Sequence, residues 1–298
     1  MDTFSLHFEH VDVFARHPLS GNGLSVFFLE QELSASLMLR LTQEMRQFES
    51  IFLSPTAEPT RFCARIFTME EELGFAGHPI IGAAAALHAR HFQNASEVHL
   101  HLMTPEKGIP VVSRRVDSVY SAEMDQGEAS YLGTVDPGRY DEILAALNLS
   151  HPDLAEPLPL EVVSTGLPYL IVPIKTNLDR AAIQIPNFES LLADIGAKFV
   201  YVLDVNEFEG RTWDNDGRVE DIATGSAAGP AAAYLVHHGL AAEDSAIRIN
   251  QGRFVDRPSE MLVTVRTGAK PGISVSGQVC FVGKGVLELP TLFYQRMS

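Results

Sequence analysis

The strongest constraint on this chain is a stretch that occurs twice. The stretch over residues 70–87 returns in altered form over residues 220–235, at one offset of 148 residues set by Gly77 and Gly225. At that offset His78 falls on Ser226, Ala83, Ala84 and Ala85 on Ala231, Ala232 and Ala233, Leu87 on Leu235, and Glu72 on Glu220. A chain that carries one unit twice is expected to fold as two similar halves. Each copy runs from acidic residues through a short glycine-bearing turn into an alanine-rich segment, the layout of a buried helix whose first turn is left open. The free N–H groups and positive dipole end of such a helix attract anions without a basic side chain.

The segments around the repeat read as strands and short helices. Alternation predicts strands over 4–14, 24–29, 60–67, 98–103 and 109–116, with a further strand starting at Ser50. Apolar spacing predicts a helix over 34–46, with Ser34 or Ser36 able to cap it, and leaves Glu49 at a helix-to-strand junction. The repeat helix over 79–90 ends with His88 and Arg90, cations suited to a negative dipole end. Periodicity fades over 116–131, where the boundary between halves is expected. Beyond it, helices are expected at 140–147 and 188–195, and strands at 161–163, 169–174, 199–205, 211–213, 246–250, 260–266 and 273–279. The second repeat helix ends at His237, His238 and Gly239. The expected class is α+β: two pseudo-symmetric lobes over 1–118 and 119–298, each a mixed sheet wrapped around its Ala-rich helix, the last strand free to return to the first lobe.

A net charge of −16 over 298 residues argues against nucleic-acid or anionic-membrane partners, which require a basic face. It leaves a small carboxylate admissible only where local dipoles supply positive potential. Cys63 and Cys280 are far apart and lack metal-ligand spacing, so neither a disulfide framework nor a zinc site is indicated. The residues from Met1 onward show no basic segment followed by an apolar one, and no apolar run is long enough to span a bilayer, so a cytoplasmic protein is expected.

Three stretches carry a resemblance to a known family. Phe75-Ala-Gly-His-Pro79, Glu220-Asp-Ile-Ala-Thr-Gly-Ser226 and Glu44-Met-Arg-Gln-Phe-Glu-Ser50 resemble the signatures of PhzF-like phenazine-biosynthesis isomerases, which share the diaminopimelate epimerase-like fold. Weaker echoes are Asp12-Val-Phe14, Gly21-Asn22, Gln251-Gly252 and Arg257-Pro-Ser259. The resemblance implies one substrate site in the cleft between lobes, no cofactor, no metal and a homodimer. It places Glu49 on the acid/base glutamate, and His78, Asp221 and Ser226 around the substrate. Ala76 and Thr224 stand near the places where epimerases carry a cysteine pair, so a two-thiol mechanism is not expected. Gly23 and Gly74 stand where the family commonly has proline, and Phe48 replaces a small residue.

Proton transfer between carbons needs a tunable base, a donor for the returning proton and stabilisation of the enolate between them. Glu49, flanked by Phe48 and by Ile51 and Phe52, would have its pKa raised if those side chains desolvate it; by position alone it reads as an ordinary junction glutamate on the surface, and only the resemblance reverses that. His78 at a helix start would be held neutral by the dipole, or would simply fill space. Asp221 suits a substrate amine and also a helix N-terminal carboxylate. Gly77, Thr224, Gly225, Ser226 and Asn22 are the substrate-binding candidates, with Gly77, Gly225 and Ser226 suited to a carboxylate or developing oxyanion, although serine is also a favoured N-cap. His99 and His101 share a strand face without an apparent third ligand, and the acidic triplet at Glu70 reads as a solvated turn. The expected activity is cofactor-independent isomerisation of a small carboxylate, dihydro-hydroxyanthranilate being the substrate the resemblance suggests. The alternatives are an amino-acid epimerase or racemase, and a binding protein that lost its chemistry.

Overall fold

Parallel strands cannot be joined by a tight turn, so each parallel pair in a sheet calls for a crossover, usually a helix. That rule organises both halves of the computed structural model, which describes residues 3–268 and 271–291; the first two residues of the N-terminal stretch read above lie outside them. In chain order the first elements are β1 (Thr3–Val13), β2 (Asn22–Phe28), α1 (Ala35–Met45), β3 (Glu49–Pro55), β4 (Arg61–Thr68), the two-residue β5 (Glu72–Leu73), α2 (Gly77–His91), β6 (Glu97–Met103), β7 (Gly108–Val116) and β8 (Val119–Gly127). Then follow β9 (Ser130–Thr134), α3 (Tyr140–Ala146), β10 (Glu161–Ser164), β11 (Pro168–Ile174), α4 (Phe188–Ala193), β12 (Phe199–Asp204), β13 (Glu209–Arg211), α5 (Gly225–His237), β14 (Ala246–Gln251), β15 (Ser259–Arg266) and β16 (Gly272–Pro290).

Two compact units result, Met1–Met124 with Ser276–Ser298, and Asp125–Val275. In the first unit the strand order is β1-β2-β3-β4-β6-β7-β8-β16, and β16 pairs back onto β1, so the sheet closes on itself. The parallel pairs are β2 with β3, bridged by α1, and β4 with β6, bridged by α2. Helix α2 packs against β1, β2, β3, β6 and β7, and every residue from Gly77 to His88 is buried. A helix that is apolar and small all round is the kind that can be enclosed by a sheet. Gly82 shows how closely it sits: a Cβ there would lie 2.5 Å from Leu24 Cδ2 and 2.8 Å from Val13 Cγ2. On the sheet's other side Phe27, Phe52 and Phe67 build a core with α1, Phe27 and Phe52 stacked at 4.7 Å between centroids.

The second unit repeats the plan. Its order is β9-β10-β11-β12-β13-β14-β15, with β11 parallel to β12 across α4 and β13 parallel to β14 across α5. Helix α5 packs against β10, β11, β12, β14 and β15, and its alanines are buried. The mixed-sheet α+β class expected from the repeat is the class observed.

Residues 116–131, where periodicity fades, carry β8 and the start of β9. In β8 only Ala122 and Met124 are buried, and β9 is exposed throughout, so neither shows a strong apolar alternation. Two expectations are corrected. The strand expected at 273–279 extends to Pro290. Along it, Gly277 and Gly285 leave room for the rings of Phe14 and Phe8. Finally, His88 does not serve as an exposed helix-end cation: it is fully buried, with Nδ1 2.9 Å from Ser113 Oγ and Nε2 3.0 Å from the Ala95 carbonyl.

Candidate active site

The first unit gathers Asn22, Glu49, Gly77 and His78. Gly77 is the first residue of α2, and its N-cap is Ala76, whose side chain makes no capping hydrogen bond. The helix start is therefore left open, as the sequence suggested. Glu49 is the first residue of β3, beside Leu24 on one side and Thr68 on the other. That register brings its Oε2 to 3.2 Å from His78 Nε2, although the two are not aligned as a hydrogen bond. Both side chains are deeply buried, with 10% and 6% exposure. Burial pushes the His78 imidazole down to about 3, so the ring is neutral.

Asn22 sets the tautomer. Its amide nitrogen lies 3.5 Å from His78 Nδ1, and an amide NH₂ only donates, so Nδ1 accepts and the ring proton sits on Nε2, toward Glu49. The loop delivering Asn22 is held by the buried Asp12, which accepts the Leu19 N–H at 2.6 Å. Two departures from the family pattern have neighbours that explain them. A side chain at Gly23 would strike the Gln47 amide, and one at Gly74 would strike the Glu106 carboxyl. Phe48 does not enclose Glu49 in the manner of a core residue, since it is itself 37% exposed.

The second unit gathers Asp221, Thr224, Gly225 and Ser226. Gly225 opens α5 as Gly77 opens α2, and Thr224 holds the N-cap place that Ala76 holds in the other copy. The Thr224 hydroxyl donates to Asp221 Oδ2 and makes no cap bond. The Ser226 hydroxyl lies 2.8 Å from the Tyr169 hydroxyl. Pro230 within α5 removes the N–H that would meet the Ser226 carbonyl.

Sequence reasoning missed the side chains that hold these loops. Gln251, 1% exposed, accepts the Thr224 N–H at 3.2 Å and donates to the Asp221 carbonyl at 2.8 Å; the Tyr201 hydroxyl donates to its Oε1 at 3.2 Å. Gly252, with φ +83°, lets the chain turn where a Cβ would strike the carbonyls of Arg257 and Ile222. The Gln251-Gly252 dipeptide was the available signal. Each copy also carries an arginine fork on its matched glutamate. Arg65 grips Glu72 at 2.7 and 2.6 Å, so Glu72 is not part of a solvated turn, and Arg211 grips Glu220, with Nε at 2.9 Å. The Arg211 Nη1 also donates to the carbonyls of Leu178, Asp179 and Ala181.

Two copies of one mixed-sheet unit, each enclosing an alanine-rich helix with an open start, define the epimerase-like α+β class. The chain belongs to the phenazine biosynthesis-like protein family, whose model matches residues 11–285. Trans-2,3-dihydro-3-hydroxyanthranilate isomerase of Pseudomonas chlororaphis is 33% identical over 295 residues, covering 95% of this chain and 99% of the relative. Among solved structures, a predicted epimerase from Pseudomonas aeruginosa is similar at 48% identity and a TM-score of 0.88, over 94% of this chain and 98% of that one. A PhzF-family protein from Bacillus anthracis shares the fold at 22% identity and a TM-score of 0.82, over 95% and 99%. The chain is an isomerase of this family. Among the described residues no helix is long and apolar enough to cross a membrane.

Proposed function

We propose that the chain shifts a proton between carbons of a small cyclic carboxylate, with Glu49 as the base. The observation that carries this reading is the buried contact of Glu49 Oε2 with His78 Nε2 at 3.2 Å. A carboxylate removes a proton from an sp³ carbon next to an unsaturated system, the electron pair moves into that system, and the protonated carboxyl returns the proton at the far end. Bonds and charge balance without an external oxidant or reductant. His78, neutral and with its proton on Nε2, is a hydrogen-bond donor for the developing negative charge.

Asp221 takes the amine of the substrate, and Asn22, Gly77, Thr224, Gly225 and Ser226 supply donors for carboxylate oxygens. The open helix starts support that assignment, because their N–H groups carry partial positive charge on a protein of net charge −16. Trans-2,3-dihydro-3-hydroxyanthranilate, named for the relative at 33% identity, fits these requirements: it has a carboxylate, an amine and sp³ ring carbons. A homodimer is the expected assembly on the general prevalence of two-fold pairs, and light scattering would decide it.

The experiment is incubation with that substrate in D₂O, following deuterium by NMR. Deuterium at the far end of the shifted unsaturation is expected, and Glu49→Gln should abolish it; exchange that survives in Glu49→Gln would remove Glu49 as the base. The likeness to a predicted epimerase favours a second reading, inversion at an α-carbon. Against a thiol-pair version of it stand Ala76 and Thr224 at the two N-cap places, with Cys63 on β4 and Cys280 on β16. Deuterium at an α-carbon of inverted configuration in the same experiment would establish that reading instead.

A further inference from the structure

The C-terminal end of α5 carries a group that the isomerase reading does not use. Glu161 is the first residue of β10 and only 5% exposed, while His237 ends α5 and His238 is its C-cap. Neighbouring helical residues ordinarily point about 100° apart, but the chain leaves the helix at His238, whose Nε2 meets the Glu161 carboxylate, with His237 close beside it. The three side chains offer ligand atoms that all lie within 4.8 Å of one another. We propose that Glu161, His237 and His238 form a site for one divalent transition-metal ion of the zinc, nickel or copper type.

The donor set fits that class. Two imidazole nitrogens and one carboxylate oxygen are the ligands that borderline ions of the first transition row select over calcium or magnesium. His238 Nε2 and Glu161 Oε2 stand 2.9 Å apart. Two ligands at about 2.1 Å from an ion would be about 3.0 Å apart at a right angle and about 3.4 Å apart at the tetrahedral angle, so this edge opens by about half an ångström at most. His237 is exposed, which leaves its ring able to swing inward and leaves the remaining coordination positions open to water.

The surroundings hold the ligands and favour a cation. The Tyr234 ring lies against His238 at 4.3 Å between centroids, and the Tyr131 ring against His237 at 4.4 Å. Both tyrosines are themselves anchored: Tyr234 donates to the Pro159 carbonyl at 2.7 Å, and Tyr131 to the Ala233 carbonyl at 3.1 Å. The negative end of the α5 dipole adds to the Glu161 charge. At about 1.5 Å per residue the site lies about 18 Å along α5 from Gly225, so the ion ties the helix end to β10 and takes no part in proton transfer.

The test uses untagged, chelator-treated protein. Titration with Co²⁺ should give a d–d absorption band that saturates at one equivalent, and Zn²⁺ should displace it. His237→Ala alters an exposed side chain and spares the fold; it should weaken Co²⁺ binding at least tenfold, as should His238→Ala. His99→Ala combined with His101→Ala should leave the titration unchanged. Zn²⁺ should also raise the melting temperature of the wild type more than that of His237→Ala. Equal Co²⁺ affinity in wild type and His237→Ala, loss of the band in the His99/His101 variant, or no saturable binding in the millimolar range would each overturn the proposal.

Discussion

The two copies of the repeated unit share their wiring and differ in what the wires end on. In both, a glycine opens the central helix, the next residue is held by a side chain from the strand before the first crossover, and an arginine fork grips the matched glutamate. In the first copy that next residue is His78, held by Asn22, with Glu49 at 3.2 Å. In the second it is Ser226, held by Tyr169, and the strand that corresponds to β3 begins with Phe199 in place of a carboxylate. One scaffold thus carries a proton-handling end and a hydroxyl-bearing end. Its forks differ as well: Arg65 and Glu72 are about 30% exposed, whereas Arg211 and Glu220 are below 10%.

The largest expected contrast is catalytic. Glu49→Gln should lower kcat between roughly a hundred-fold and ten-thousand-fold, whereas Ser226→Ala should lower kcat/KM by about tenfold, the value of one hydrogen bond. Steady-state rates on the dihydro-hydroxyanthranilate would measure both, and equal losses would break the division between the copies. Next come the forks. Arg211→Met strands a buried Glu220 and should cost about 3–5 kcal/mol in urea unfolding, against about 0–1 kcal/mol for Arg65→Met. Comparable costs would mean that burial does not separate them.

A smaller contrast appears with pH. The His78 imidazole is near 3 when folded and near 6.5 when unfolded. Between those values the unfolded chain binds the extra proton, so stability falls as pH falls from 6.5 toward 3. His78→Asn should flatten that slope in urea midpoints compared at pH 7.5 and 4.5, and Ser226→Ala should not. Smallest is Tyr169→Phe, which removes the partner of the Ser226 hydroxyl and should cost about 1 kcal/mol. Urea unfolding would detect it.

What the sequence made legible follows from which signals are local. The repeat exposed both helix starts, because Gly77 and Gly225 must sit where a chain enters a helix closely packed in a sheet. Alternation exposed most strands, since one face is buried. The missed elements lack that contrast: β9 is exposed throughout, and the glycines of β16 accommodate phenylalanine rings brought from far along the chain. Within the site, Glu49 and His78 were named from motifs. Gln251 and Arg211 were not given roles, because their work is done on carbonyls and loops that only the folded chain brings to them. His88 shows the same limit, as an imidazole at a helix end whose burial depends on Ser113 and Ala95.

The pairing of β1 with β16 has a consequence for how the chain comes into being. Residues 125–275 form a contiguous unit that can assemble as soon as they leave the ribosome. The first unit cannot: Thr3 pairs with Pro290 and Val13 with Val279, so β1 waits for β16. Synthesis therefore finishes the second unit first, and the sheet around His78 closes only after residues 279–290 have emerged. Closing a loop with so large a sequence separation is slow. A polypeptide stalled before residue 279 would carry a complete Ser226 end and an open strand edge on β1.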